Sequence, residues 1–136
     1  MSMAVIYWSG TGNTQTMAEA IASAAGAELF EVTAITAVKA AEYDKLALGC
    51  PATGSESLEE NDFEPFFEEL KGSLNGKKIA LFGSYGWGGG EWMRTWQQSA
   101  QEAGAVLCAE PVIALEAPDD AALAECDALG KALAAC

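Results

Sequence analysis

The segment Ala4-Val5-Ile6-Tyr7-Trp8-Ser9-Gly10-Thr11-Gly12-Asn13-Thr14 sets the reading of the whole chain. Ala4 to Trp8 is a short, unbroken apolar run, the pattern of a strand buried on both faces. Ser9 to Thr14 is a loop of small residues with hydroxyl and amide side chains. After it Met17, Ala18, Ile21, Ala22 and Ala25 recur at helical spacing, and Gly26 supplies a stop. Strand, glycine-containing loop and helix in that order begin a βαβ unit. In sheets built from such units, ligands sit beyond the carboxyl ends of the strands.

The same alternation continues outward to the end of the chain. Leu29 to Val32 reads as a second strand, at a sheet edge, and Lys45 to Cys50 as a third, closed by Pro51. Phe63, Phe66, Phe67 and Leu70 mark the buried face of a helix. Ile79 to Phe82 is a fourth strand. Trp92 to Ala103 is a helix, with Trp92 and Trp96 on its core side. Val106 to Leu115 is a fifth strand, interrupted near Glu110-Pro111. Asp119-Asp120 caps a last helix whose apolar positions include Leu123 and Leu129. Five strands interleaved with helices predict an α/β fold: a three-layer α/β/α sandwich around a parallel sheet in the order 2-1-3-4-5. A chain of 136 residues fits one domain, 1–136.

Three loops after strands 1, 3 and 4 therefore meet at one rim. The first, Ser9 to Thr14, offers three hydroxyls, one amide and several backbone N–H groups at a helix N-terminus. That is an anion cradle, because the helix end carries partial positive charge and free donors. It holds no lysine, so it is not the loop of a nucleoside triphosphate hydrolase. A turn that only reversed the chain would not need four hydroxyl or amide residues. The second loop is Pro51-Ala52-Thr53-Gly54-Ser55-Glu56, whose small residues let a flat ligand approach the backbone. The third is Gly83-Ser84-Tyr85-Gly86-Trp87-Gly88-Gly89-Gly90. Two aromatics among five glycines at a ligand rim point to stacking on a planar ring.

Composition narrows the field. Twenty Asp and Glu against seven Lys and Arg give a formal charge of −13, which repels nucleic acid and anionic membranes and steers toward basic protein surfaces. No apolar run approaches the ~20 residues of a membrane span. No secretory leader is legible at the start, so a cytoplasmic location is expected. The chain has no histidine, which removes histidine triads, proton shuttles and metal ligands. None of the four cysteines lies in a CxxC spacing, so no metal site or dithiol motif is indicated. Cys126 and Cys136 lie about 15 Å apart along one helix, too far for a bridge. Cys50 and Cys108 read as small buried hydrophobes at strand ends, and a chain of this length needs no disulfide. Clustered aspartates of a phosphoacceptor domain and a CxxxxxR phosphatase loop are both missing.

Tyr7 to Thr14, Gly49 to Glu56 and Phe82 to Gly88 together resemble the three FMN loops of short-chain, clostridial-type flavodoxins. The resemblance covers essentially the whole chain and implies the flavodoxin-like fold. It implies that Ser9, Gly10, Thr11, Gly12, Asn13 and Thr14 hold the FMN phosphate. It places Pro51, Ala52 and Ser84 along the ribityl chain and ring edge. Trp87 would cover the outer flavin face and Thr53 the inner one, where relatives often have methionine. Gly54 would offer its carbonyl to the reduced ring, Glu56 would accept from the pyrimidine N–H, and Tyr85, Gly86 and Gly88 would contact the pyrimidine oxygen through their backbones. Glu116 is a further neighbour.

The resemblance further implies a carrier rather than an enzyme. Its FMN would cycle between semiquinone and hydroquinone, substituting for ferredoxin. One like charge ~10 Å from the reduced ring, at an effective dielectric of ~20, costs roughly 1.7 kcal/mol, or about 70 mV, so an acidic surface lowers the second potential. The chain is expected to be a monomer. Partners are redox proteins with basic docking surfaces, such as ferredoxin or flavodoxin reductases and ferredoxin-dependent oxidoreductases, with Glu59, Glu60 and Asp62 helping to dock them. The competing assignment is an FMN-dependent NAD(P)H:quinone reductase of related fold, although no nicotinamide site is legible.

Overall fold

The buried strands do form one parallel sheet. A computed structural model describes residues 2–53 and 57–136. Its strands are β1 (Met3–Tyr7), β2 (Glu28–Glu31), β3 (Lys45–Gly49), β4 (Lys78–Tyr85), β5 (Val106–Leu107) and β6 (Val112–Leu115). They pair in the order β2-β1-β3-β4-β5, all parallel, and β6 continues the fifth position beside β4. The break between β5 and β6 falls at the expected place, since Pro111 has no N–H to give a ladder. The helices are α1 (Asn13–Ala25), α2 (Ala37–Ala40), α3 (Phe63–Leu70), α4 (Glu91–Glu102) and α5 (Asp120–Ala135).

Strand alternation divides the core into two layers. Val5, Ala47, Ala80, Phe82 and Ala114 face Met17 and Ile21 of α1 and Cys126, Leu129 and Leu133 of α5. Ile6, Leu46, Leu48, Ile79 and Leu81 face α2, Phe63 and Phe67 of α3, and Trp92 and Trp96 of α4. Trp92 and Trp96 are almost wholly buried, and each full burial of such a side chain contributes several kcal/mol. Leu123, expected on the buried side of the last helix, is only half-buried.

Three readings are corrected by packing. The crossover between β2 and β3 carries a helix the sequence reading lacked, the single turn α2, capped by the Thr36 hydroxyl accepting from Lys39 N at 3.1 Å. Cys108 is not a buried hydrophobe. It is half-buried and disulfide-bonded to Cys136, with Cα atoms 5.8 Å apart, because β5 ends beside the last turn of α5. So the chain does carry a covalent staple.

The third correction concerns Glu59, which is buried rather than part of a docking face. Its carboxylate accepts from the backbone N–H groups of Asn61 (2.8 Å), Asp62 (2.7 Å) and Phe63 (2.9 Å), closing the N-terminus of α3. Burial alone would raise this carboxyl, but three N–H donors outweigh it and hold the group below the ordinary glutamate range. A carboxyl lowered by folding contributes stability that is present above its unfolded value and fades as pH falls through the folded one. Glu59→Ala is therefore expected to cost about 2 kcal/mol at pH 7. Urea unfolding of both forms should show that gap narrowing as pH falls through the folded value; a gap that persists unchanged down to about pH 2 would contradict the capping role.

Candidate functional site

The carboxyl ends of β1, β3 and β4 deliver the three loops to one cavity of about 380 Å³, within the range of small-ligand sites. The first loop contributes Gly10, Thr11 and Asn13 to its wall. Ser9 does not line the cavity but builds the loop: its hydroxyl accepts from Gly12 N at 3.0 Å and Gln15 N at 3.3 Å. Gly12 sits at φ 94°, a left-handed turn that a side chain would strain. The N–H groups of Gly10, Thr11 and Thr14 have no protein acceptor among the described residues. Unsatisfied donors at the start of a helix fit an anion.

Thr14 is fully buried behind the loop. Its hydroxyl lies 2.8 Å from the Ser84 hydroxyl and accepts from Ser84 N at 3.3 Å. This pair ties the first loop to the third. Two further bonds tie the second loop in place: Ala52 N donates to Ser84 O at 3.0 Å, and the Trp92 indole donates to Cys50 O at 3.0 Å. Close packing here depends on Gly83, where a Cβ would lie 2.2 Å from the Cys50 carbonyl oxygen. Pro51, Ala52 and Thr53 form the middle of the wall. Thr53 and Ser57 exchange backbone hydrogen bonds at 2.9 Å in both directions. Their hydroxyls repeat the exchange, Thr53 Oγ1 donating to Ser57 O at 3.1 Å and Ser57 Oγ to Thr53 O at 3.3 Å. Gly54 and Glu56 lie outside the described residues.

Ser84, Tyr85, Gly86 and Trp87 supply the third side; Gly88 stands outside the lining. Trp87 is 51% exposed, whereas Trp92 and Trp96 are buried, and glycines flank it. Glu116 also reaches the cavity. It holds a left-handed φ of 57°, unusual for a residue with a side chain, and its N–H donates to Tyr85 O at 2.7 Å. Trp8 is a lining residue that the sequence reading placed only in the strand. Its ring packs beneath Gly10, where a Cβ would lie 3.0 Å away.

Charge is segregated across the molecule. Lys45 and Lys78 open β3 and β4 at the opposite edge of the sheet, and Lys77 donates there to Ala41 O and Tyr43 O. Among the described residues, no lysine or arginine lines the cavity. Arg94, which follows the third loop, is bonded to Glu91 and Gly89 O. Glu60 and Asp62, unlike Glu59, are exposed. The cavity therefore combines an uncharged nest of N–H donors, a slot bordered by aromatic rings and one carboxylate, that of Glu116. That arrangement suits an anion attached to a flat, apolar ring.

A family model described as Flavodoxin matches residues 5–129. The chain belongs to the flavodoxin family. It is 49% identical over 137 residues to the flavodoxin of Megasphaera elsdenii, covering 96% of both chains. It is 44% identical over 137 residues to that of Clostridium beijerinckii, covering 97% of this chain and 99% of the relative. Its fold matches the solution structure of two-electron reduced Megasphaera elsdenii flavodoxin with a TM-score of 0.87 at 46% identity, over 98% and 99% of the two chains. Flavodoxins are electron-transfer flavoproteins that work with protein partners. The sheet order and helix placement of this flavodoxin agree with those relatives. Among the described residues, no helix is long and apolar enough to cross a membrane.

Proposed function

We propose that this flavodoxin binds FMN non-covalently in the three-loop cavity and carries single electrons at low potential between redox proteins. The observation that carries this reading is the pairing, in one cavity, of a lysine-free N–H nest with an exposed tryptophan. Gly10, Thr11 and Asn13 would hold the phosphate, with Ser9, Gly12 and Thr14 fixing the shape of the loop around it. Pro51, Ala52, Thr53 and Ser84 would bound the ribityl chain and one ring face, and Trp87 the other. Gly54 and Glu56 retain the roles that the resemblance assigns them, and so do the backbones of Tyr85, Gly86 and Gly88.

The flavin supplies the one-electron chemistry, and the chain tunes it. Thr53 and Ser57 are hydrogen-bonded to each other on either side of Gly54 in the sequence, which supports a role for that segment in distinguishing redox states. Thr53, smaller than methionine, covers less of the inner ring face. The Glu116 carboxylate in the wall and the net charge of −13 disfavour a second negative charge on the ring. We read the working couple as semiquinone and hydroquinone, with ferredoxin substitution as the cellular role. Residues 1–136 act as one domain, in the cytoplasm, as a monomeric carrier rather than an enzyme. Basic partners of the ferredoxin-reductase and ferredoxin-dependent oxidoreductase classes would approach Glu60 and Asp62, and salt would slow that approach.

Stepwise reductive titration followed in the visible tests this. Two separated one-electron steps are expected, the second well below the potential of free FMN. One two-electron step near the free-flavin potential contradicts the carrier role.

A further inference from the structure

We propose that the Cys108–Cys136 pair is a thiol–disulfide exchange site, at which dithiol reductants release the last turn of α5 from the sheet. Electron transfer at the flavin rim does not use it, since Cys108 follows β5, whose residues Val106 and Leu107 pair with Lys78 and Ile79 at the start of β4. Cys108 N still donates to Ile79 O at 2.9 Å, so its backbone is held by the sheet. Cys136 directly follows α5. The two Cα atoms are 5.8 Å apart, and the sulfurs are bonded.

The bond lies within a set of ties that converge on one turn. Buried Lys45 donates from Nζ to Leu133 O at 3.1 Å and Ala134 O at 2.9 Å. Lys78 Nζ donates to Cys136 O at 2.7 Å. Thus β3, β4 and β5 each hold the end of α5, and the disulfide is the covalent member. Upstream, α5 packs against α1, where a Cβ on Gly130 would lie 2.6 Å from Ile21 O. α1 in turn begins at the N–H nest. The disulfide thus secures a helix that supports the element carrying the first loop.

Only this pair is placed for exchange. Cys108 and Cys136 are half-buried and open to a reductant, whereas Cys50 and Cys126 are buried and free. Burial pushes the Cys50 thiol up to about 12 and the Cys126 thiol up to about 11, so neither supplies thiolate at neutral pH. In the exchange, a thiolate of a dithiol attacks one sulfur of the pair and forms a mixed disulfide, and the other sulfur leaves as thiolate. The second thiol of the reductant then displaces the first cysteine. Two electrons and two protons pass to Cys108 and Cys136, and the dithiol becomes a disulfide.

The holoprotein tests this without reference to electron transfer. After exposure to an oxidant and denaturation without reductant, two thiols should titrate, those of Cys50 and Cys126. Dithiothreitol should raise the count to four and the intact mass by about 2 Da. Opening a loop of sequence separation 28 should lower the folded-to-unfolded ratio a few hundredfold and the melting temperature on the order of 10 °C. A Cys108→Ser/Cys136→Ser double variant should melt at the reduced wild-type value with or without dithiothreitol. Four thiols in the oxidised protein, or a wild-type melting temperature indifferent to dithiothreitol, would overturn the proposal. The thiol count and mass decide it even if the double variant does not fold.

Discussion

Thr11→Asp is expected to weaken FMN binding about a hundredfold or more while leaving riboflavin binding nearly unchanged. Thr11 lines the cavity at the N–H nest, and its hydroxyl accepts only from Asn13 N, at 3.3 Å. An aspartate oxygen accepts that bond equally well, so the loop keeps its shape. The new charge, however, sits against the phosphate. Two unit charges ~5 Å apart at an effective dielectric of ~20 repel by about 3 kcal/mol, or about two orders of magnitude in Kd. No cation in the wall moderates the repulsion. Riboflavin lacks the phosphate and so reports on everything else about the site. Fluorescence titration of the flavin-stripped variant with both ligands measures the difference. Equal losses for FMN and riboflavin would mean that the loop had deformed rather than that an anion had been repelled.

The second large effect separates two tryptophans that look alike in the sequence. Trp87→Ala should weaken FMN and riboflavin alike by about 1–3 kcal/mol, the worth of one aromatic stacking face, with little change in the stability of the flavin-free protein. Trp87 is 51% exposed, so it has far less packing to lose than a core tryptophan. Trp92→Ala should instead destabilise the fold by about 3–5 kcal/mol. Trp92 is 1% exposed, packs at a tilt against Tyr85 with ring centroids 5.4 Å apart and donates to the Cys50 carbonyl. Urea unfolding and flavin titration on both variants should therefore give opposite patterns. A Trp87→Ala variant that unfolds as easily as Trp92→Ala would place Trp87 in the core rather than at the ligand.

What the sequence disclosed follows physical range. Ala4 to Tyr7, Leu46 to Gly49 and Ile79 to Phe82 announce buried strands because every position is apolar or small, and the parallel order follows from the helices between them. The three loops were legible for the same reason: glycines and hydroxyls directly after buried strands can only face the rim. Features that depend on long-range placement were not. Cys108 and Cys136 share no motif spacing and meet only because β5 ends beside the end of α5. α2 is one turn, too short to show a period, and its Val38 is 71% exposed. Glu59 stands among seven acids between 56 and 69, and only the fold shows that its carboxylate caps α3 instead of facing solvent. Trp8 was hidden differently. As the last residue before the first loop it looked like more strand, yet its ring floors the nest beneath Gly10.

FMN binding depends on an anion held by backbone donors at one end of the cavity and a flat ring at the other. Comparing FMN with riboflavin on the flavin-stripped wild-type chain tests that most directly. With several N–H bonds to a charged phosphate, each worth about 1.5–3 kcal/mol, FMN should bind at least a thousandfold more tightly than riboflavin, quenching its fluorescence at one flavin per chain. Equal affinity for the two, or no saturable binding of FMN, would contradict the account.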